Sequence, residues 1–562
     1  MNPTLRSALL LGTLAAAVHS QAQRYIDEVF TNAQITVTPD VKFGTNINFL
    51  TSNLTSPNVP NDLTTLHTAV ATGQPIPPAY YNANDGSTAI KVVDLEMDVY
   101  QPDQAIDQET ARPVVVYLHT GNALPPPING SPNGRRTDST AVEICKRFAR
   151  RGYVAVSMSY RLGWNPLAPT EQERRGQLLN AIYRAIHDTR QCIRHLKQDA
   201  GEGDNTYAIC ADRITVLGEG TGGYIALANA TLDDPAELFI EKFRPDPFNS
   251  NVSYVDTNLV GNLDGFNGQL NLYRPNGWDH TSHFCVNLGG ALADTSWLSP
   301  GDVPMVAFHT VFDPFAPFTE GIVIVPTTGG PVVPVHGSNL FMKLVNDYGN
   351  NAAFANMPGG DPFTDRARSL YGTTQTHSAV NVNINTGVEG LFPFVTPNWP
   401  AQNPALREEA SPWQFWDPNH PLALAEVQPG ITAHMASASS NPDMSSTKAR
   451  AYIDSIMGYL TPRMFAALEL GNACAFTGID SPGSVAPTVD VFPNPASDHV
   501  TISSASALVR RYEILDINGR VLRTGTVNTD RLVLGREGLA PGAYIVKLHF
   551  DAGTVSRKLV LD

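Results

Sequence analysis

The chain has 562 residues, 42% of them hydrophobic and 16% charged, a size and balance that fit a protein of more than one domain. Its formal net charge of −15 excludes a nucleic-acid binder, because phosphate recognition needs concentrated Lys and Arg. With 44 Gly and 43 Pro, it is rich in loops.

The start carries Arg6 and then an apolar run from Ser7 to Val18, followed by Ser20-Gln21-Ala22. This is the layout of a signal peptide over residues 1–22, and not of a membrane span. No later apolar run is long enough to cross a bilayer. Leu95, Met97 and Val99 alternate with Glu96, Asp98 and Tyr100, which predicts a half-buried strand. Val114-Val-Val-Tyr-Leu118 is unbroken and apolar, as a parallel strand covered on both faces requires. A helix is expected over Thr140–Arg151 and a strand over Gly152–Met158. From Glu171 to Lys197, Leu178, Ile182, Ile186, Ile193 and Leu196 share one helical face.

Next comes Ile214-Thr-Val-Leu-Gly-Glu-Gly220-Thr-Gly-Gly-Tyr-Ile-Ala-Leu227, an apolar strand running through a glycine-rich turn into a helix. That context matches the G-x-S-x-G turn that presents a nucleophilic serine, but the central position is Gly220. Strands at Phe284–Leu288 and Val303–Phe308 and a closing helix around Ala449–Leu460 complete the alternation. Strands alternating with helices imply an α/β fold with a mostly parallel central sheet.

The five cysteines permit disulfides and leave one thiol over. Cys192 and Cys210, on either side of a short polar loop, are the pair to test first. Their spacing fits no zinc pattern, so neither metal nor cofactor is expected. Trp399, Trp413, Phe415 and Trp416 either line a groove for an aromatic or sugar ligand or cover the sheet edge.

Four segments carry a family resemblance: Pro113–Gly121, Arg151–Arg161, Ala211–Gly223 and Pro304–Asp313. Together they resemble an α/β-hydrolase of the carboxylesterase and feruloyl-esterase-like group, over a core of about residues 95–470. The resemblance implies a triad in the order Ser, Asp, His, with an oxyanion hole made partly by a His-Gly-Gly loop. Here that loop reads His119-Thr120-Gly121-Asn122. The acid loop, His-Gly-x-x-Asp in the family, reads His309-Thr310-Val311-Phe312-Asp313. Asp313 takes the acid position and Gly220 stands where the nucleophile should be. His336, His377, His420 and His434 all qualify as the base by order; His377 is favoured, with His434 the alternative.

Glycine offers no atom for acyl transfer. Loss of the nucleophile alone costs roughly 10⁶-fold in turnover in a serine hydrolase. Thr221 lies one residue past the apex and is a poor substitute. The turn itself is expected to survive, because glycine enters strained backbone regions easily. Thr120, Gly121 and Thr221 are the expected oxyanion-binding group, able to hold a carbonyl or carboxylate at a helix N-terminus. Two readings stay open: a catalytically impaired relative that binds an ester, carboxylate or sugar-linked small molecule, and an active ester hydrolase using another nucleophile.

Thr477–Pro487 is rich in Gly, Ser and Pro and reads as a linker. The regular short strands beyond it, with turns at Asn518-Gly519 and Pro541-Gly542, predict a small all-β sandwich over 488–562. Val491-Phe-Pro-Asn-Pro-Ala496, Tyr512–Val521, Leu539–Val546 and Lys558-Leu-Val-Leu-Asp562 are similar to the C-terminal sorting domain of the type IX secretion system. That resemblance implies a Gram-negative bacterium of the Bacteroidota type. It also implies engagement with the type IX machinery, passage through the periplasm, and a final place outside the cell or on its surface. The domain layout expected is a leader (1–22), a hydrolase-like body (23–476), a linker (477–487) and the sorting tail.

Overall fold

A computed structural model of the protein describes residues 24–249, 251–324, 329–377, 380–397, 409–474, 489–504, 508–516, 520–550 and 553–561. The expected leader and linker, Trp399 and the Asn518-Gly519 turn lie outside them. The chain divides into two units, Met1–Arg274 with Asp279–Phe476, and Pro275–Trp278 with Thr477–Asp562.

The first unit is built on eight strands: β1 (Ile35–Ile47), β2 (Val92–Pro102), β3 (Arg112–Leu118), β4 (Val154–Met158), β5 (Ile209–Glu219), β6 (Phe284–Leu288), β7 (Met305–Thr310) and β8 (Leu391–Phe394). They form one sheet in the order β1-β2-β4-β3-β5-β6-β7-β8. β2 runs antiparallel to β1 and β4, and every other pairing is parallel. This is the α/β-hydrolase arrangement. β1, an exposed edge strand with weak alternation, and the helix Val59–Ala71 carry no strong sequence signal and emerge only in the structure.

Every residue of β3 is buried, and the period-2 geometry of a strand divides them between two cores. Val114, Val116 and Leu118 pack on one side with Ile186 and Ile193 of the long helix Glu171–Gly201. Val115 and Tyr117 pack on the other side with Ile144 and Phe148 of the helix Ser139–Arg150 and Ile453 and Leu460 of the closing helix Ser446–Ala467. The long helix opens on a capping box: Thr170 Oγ1 accepts from Glu173 N, and Glu173 Oε2 accepts from Thr170 N, both at 3.2 Å.

That helix also buries arginines. Arg161 Nε meets Asp188 Oδ1 at 2.9 Å with both side chains fully buried, and Tyr273 donates to the same oxygen at 2.8 Å. Arg184 Nη2 donates to Gly163 O at 2.6 Å, and its pKa falls to about 9 through burial and the neighbouring Arg161. Such groups are tolerated inside because each charge is directed at a carboxylate or carbonyl.

The disulfide expectation is corrected. Cys210, at the start of β5, is bonded to Cys474, near the end of the body, and not to Cys192. Cys192 faces inward from the long helix, its Sγ 3.7 Å from Met97 Sδ, so it cannot reach Cys210. Cys145 and Cys285 are also buried free thiols.

The second unit contains two antiparallel sheets. One has three strands (Val489–Phe492, His499–Ser504, Arg531–Gly535) and the other four (Val521–Thr529, Val509–Leu515, Gly542–Phe550, Gly553–Leu561). Val500, Ile502 and Leu534 from the first share a core with Ile514, Val546, Leu548 and Leu559 from the second, so this unit is a small all-β sandwich.

Candidate functional site

The glycine-rich turn is shaped by backbone packing. Gly220 sits at φ +52° and ψ −114°, between the end of β5 and the helix Thr221–Thr231. Its neighbours let that helix press onto the sheet. A Cβ on Gly222 would overlap the Leu118 carbonyl oxygen and lie 2.6 Å from its carbon, and one on Gly218 would overlap the Gly222 carbonyl. The turn therefore needs glycine at 218 and 222 for reasons independent of chemistry.

At the apex, a Cβ on Gly220 would overlap Thr120 Oγ1 and stand 3.2 Å from Thr120 Cβ. The threonine of the His119-Thr120-Gly121 loop thus fills the space a nucleophile side chain would take. Gly121, at φ +119°, backs onto Gly134, where a Cβ would come within 2.6 Å of Gly134 Cα. The next amide is already used, since Asn122 N donates to Thr221 Oγ1 at 2.7 Å. Trp164 Nε1 donates to Asn122 O at 2.6 Å, which couples this loop to the Gly163 segment held by Arg184.

Beneath the turn, Glu219 is fully buried. It accepts from Tyr117 (2.7 Å), Trp413 Nε1 (3.0 Å) and Gln414 Nε2 (2.8 Å). Burial raises its pKa despite these donors. Trp413, one of the aromatics that could have lined a groove, is spent inside on this contact, and Trp416 is buried as well.

The acid loop is held differently. Asp313 Oδ1 accepts from the amides of Phe315 (2.8 Å) and Ala316 (2.9 Å), so the carboxyl closes its own turn. His309, in β7, has its pKa pushed down to about 4 by burial and is neutral at pH 7. Its Nε2 donates to Ala316 O at 3.0 Å and its Nδ1 accepts from Ser338 Oγ at 2.8 Å. Ser338 in turn accepts from Asn287 Nδ2 at 3.1 Å.

Thr120, Asn122, Gly220, Thr221 and Asp313 meet at the polar end of one cavity of about 180 Å³. The rest of its wall is apolar: Leu178, Leu179, Ile182 and Ile186 from the long helix, Phe243, Trp297, and Val332, Val333 and Val335 from the strand Pro331–His336. Trp164, Tyr224 and Ser411 also line it, and nothing in their sequence context marked them.

No histidine lines the cavity among the described residues. His377, favoured by order, ends the strand Thr374–His377 and packs its ring 5.5 Å from that of Phe312, next to Asp313. His434 Nδ1 accepts from Trp416 Nε1 at 3.1 Å. His336 Nδ1 accepts from Thr295 N (2.9 Å) and His420 Nδ1 from Leu422 N (3.2 Å), both as loop fasteners. No group of His, Cys, Asp and Glu suited to a metal ion occurs among the described residues.

The sheet order and the helices that cover it have the α/β-hydrolase arrangement, and two segments of the chain match family models. Residues 97–267 match the BD-FAE family model, and residues 490–562 match the model described as Secretion system C-terminal sorting domain, the tail of type IX export. No curated protein matches. Among solved structures, a propionate-bound esterase from Thermogutta terrifontis is 16% identical, covering 40% of this chain and 70% of its own, with a TM-score of 0.26. The same organism's esterase 2, phosphorylated by paraoxon, is 18% identical over 40% of this chain and 69% of its own, with a TM-score of 0.27. A tail of this kind marks a chain for the cell surface or the extracellular space. No described helix is long and apolar enough to cross a membrane.

Proposed function

We propose that this protein is an exported, non-hydrolytic relative of the esterases that binds a small molecule in the cavity beside the glycine turn. The observation that carries the reading is the pairing at the apex: residue 220 has no side chain, and Thr120 fills the space where one would project. Without a serine hydroxyl there is no acyl-enzyme step of the usual kind. Asp313 keeps the position of a triad acid and its Oδ1 also accepts from two amides of its own turn, while His377 and His434 are not among the described residues lining the cavity. Asn122 N, next in the loop after the expected oxyanion residues Thr120 and Gly121, is occupied by Thr221 Oγ1.

The ligand classes open to such a site are an ester, a carboxylate or a sugar-linked small molecule. In this reading residues 1–22 direct the chain to the periplasm of a Bacteroidota-type bacterium and residues 488–562 carry it across the outer membrane. The body, 23–476, is what acts outside, and 477–487 joins it to the tail.

A fluorophosphonate probe tests the chemistry. The expected intact mass of the treated protein is unchanged. An adduct on Thr120, Ser411 or any other hydroxyl would replace this reading with that of an active ester hydrolase using a relocated nucleophile.

A further inference from the structure

The polar end of the cavity carries a feature that narrows its guest. Thr120, Tyr224 and Ser411 line it, and among the described residues no hydrogen bond is made by the side-chain hydroxyl of any of the three. Burial, with the Asp313 charge nearby, raises the Tyr224 pKa, so its phenol stays protonated and able to donate. No Lys, Arg or His lines the cavity among the described residues. Within the loop, Asn122 N is committed to Thr221 Oγ1 at 2.7 Å. The wall opposite is aliphatic and aromatic, and the volume of about 180 Å³ lies below the ~300–1,000 Å³ of sites for drug-sized ligands.

We propose that the cavity takes a small neutral alcohol, a single ring or short alkyl chain ending in a hydroxyl, and rejects the corresponding carboxylate. Protein hydroxyls both donate and accept, so they satisfy a ligand hydroxyl in either sense. A carboxylate would give up its hydration to enter a mostly apolar space that offers it no cation, which is far costlier than burying an alcohol. The apolar body meets Leu178, Ile182, Ile186 and Phe243, and the hydroxyl reaches the group formed by Thr120, Tyr224 and Ser411. This inference rests on the reading of a non-hydrolytic binding site; it rejects the carboxylate and adds a neutral alcohol to the ligand classes named above.

The test is a calorimetric titration of the full chain at pH 7.5 with two matched pairs, benzyl alcohol against benzoate and 1-hexanol against hexanoate. The emission of Trp164 and Trp297, which line the cavity, provides a second signal. Each alcohol is expected to bind at least about tenfold more tightly than its acid. Tyr224→Phe and Ser411→Ala should each weaken alcohol binding by about three- to tenfold, the loss of one hydrogen bond, with the far-ultraviolet spectrum unchanged. Equal or tighter binding of the acids would overturn the proposal. So would failure of both alcohols to bind at about 10 mM, or alcohol binding that neither variant weakens. Covalent labelling by the fluorophosphonate would instead overturn the non-hydrolytic reading, so the two failures are told apart.

Discussion

The glycine turn at Gly218–Gly223 and the acid loop at His309–Ala316 both follow parallel strands of the same sheet, yet they are held by different physics. The turn is backbone packed on backbone: its helix sits so close to Leu118 and to β5 that any side chain at 218 or 222 would intrude. The acid loop is held by side-chain hydrogen bonds running from Asn287 through Ser338 and His309 to Ala316, with Asp313 tying its own amides. The contrast teaches why chemistry and shape can separate here. A turn whose form depends on main chain alone keeps that form when its apex loses a hydroxyl.

The largest effect should come from forcing a methyl into the turn. Gly222→Ala is expected to cost about 3 kcal/mol or more, because the obstacle is the Leu118 carbonyl, a backbone group, and not a movable side chain. A chemical denaturation midpoint reads this directly; a shift below about 0.5 kcal/mol would show that the turn is not held by backbone contact.

The second prediction concerns pH. Burial depresses His119 and His309 to about 4, below the unfolded value near 6.5. For a histidine lowered in this way, the native state resists a proton that the unfolded state accepts. Its contribution is fully present above about pH 6.5 and is lost as pH falls toward about 4, on the order of a few kcal/mol per group. His119 lies beside the turn and His309 in the acid loop, so each region has its own reporter. Stability measured from pH 7.5 to 4.5 should fall steeply, and His309→Gln should flatten the profile by one group's share. An unchanged slope would place His309 in contact with water.

A smaller effect is expected at the apex. Gly220→Ser alone should destabilise by about 1–3 kcal/mol, since a side chain there meets Thr120 at a positive φ, and it should show no esterase activity. Adding Thr120→Gly should recover most of that stability. Recovery of none of it would mean that Thr120 is not the obstacle. The smallest is Ser338→Ala, which removes a partner from both His309 and Asn287 and should cost about 1–2 kcal/mol while leaving the turn intact.

Much of the architecture was legible in the residues because buried parallel strands and amphipathic helices carry their periodicity locally. Val114–Leu118 and Phe284–Leu288 announced central strands. The face Leu178–Leu196 announced the long helix, found over Glu171–Gly201. The buried arginines of that same helix were not legible, since Arg184 looks like any solvated charge until the Gly163 carbonyl is placed against it. The cysteine pairing failed for a similar reason: Cys210 and Cys474 are 264 residues apart, and only the packing of the body's end beside β5 joins them.

The sequence by itself determined that a glycine occupies the apex of a strand-turn-helix and that the chain carries the marks of a hydrolase body and a sorting tail. Both are properties of contiguous residues, whose backbone preferences and spacing are written locally. That Thr120 fills the missing side chain's place, that Thr221 takes the Asn122 amide, and that Tyr224 and Ser411 line one cavity were decided only by tertiary structure. Those relations join residues from distant segments, and side-chain volume and hydrogen-bond geometry acquire meaning only once the sheet has brought them within reach.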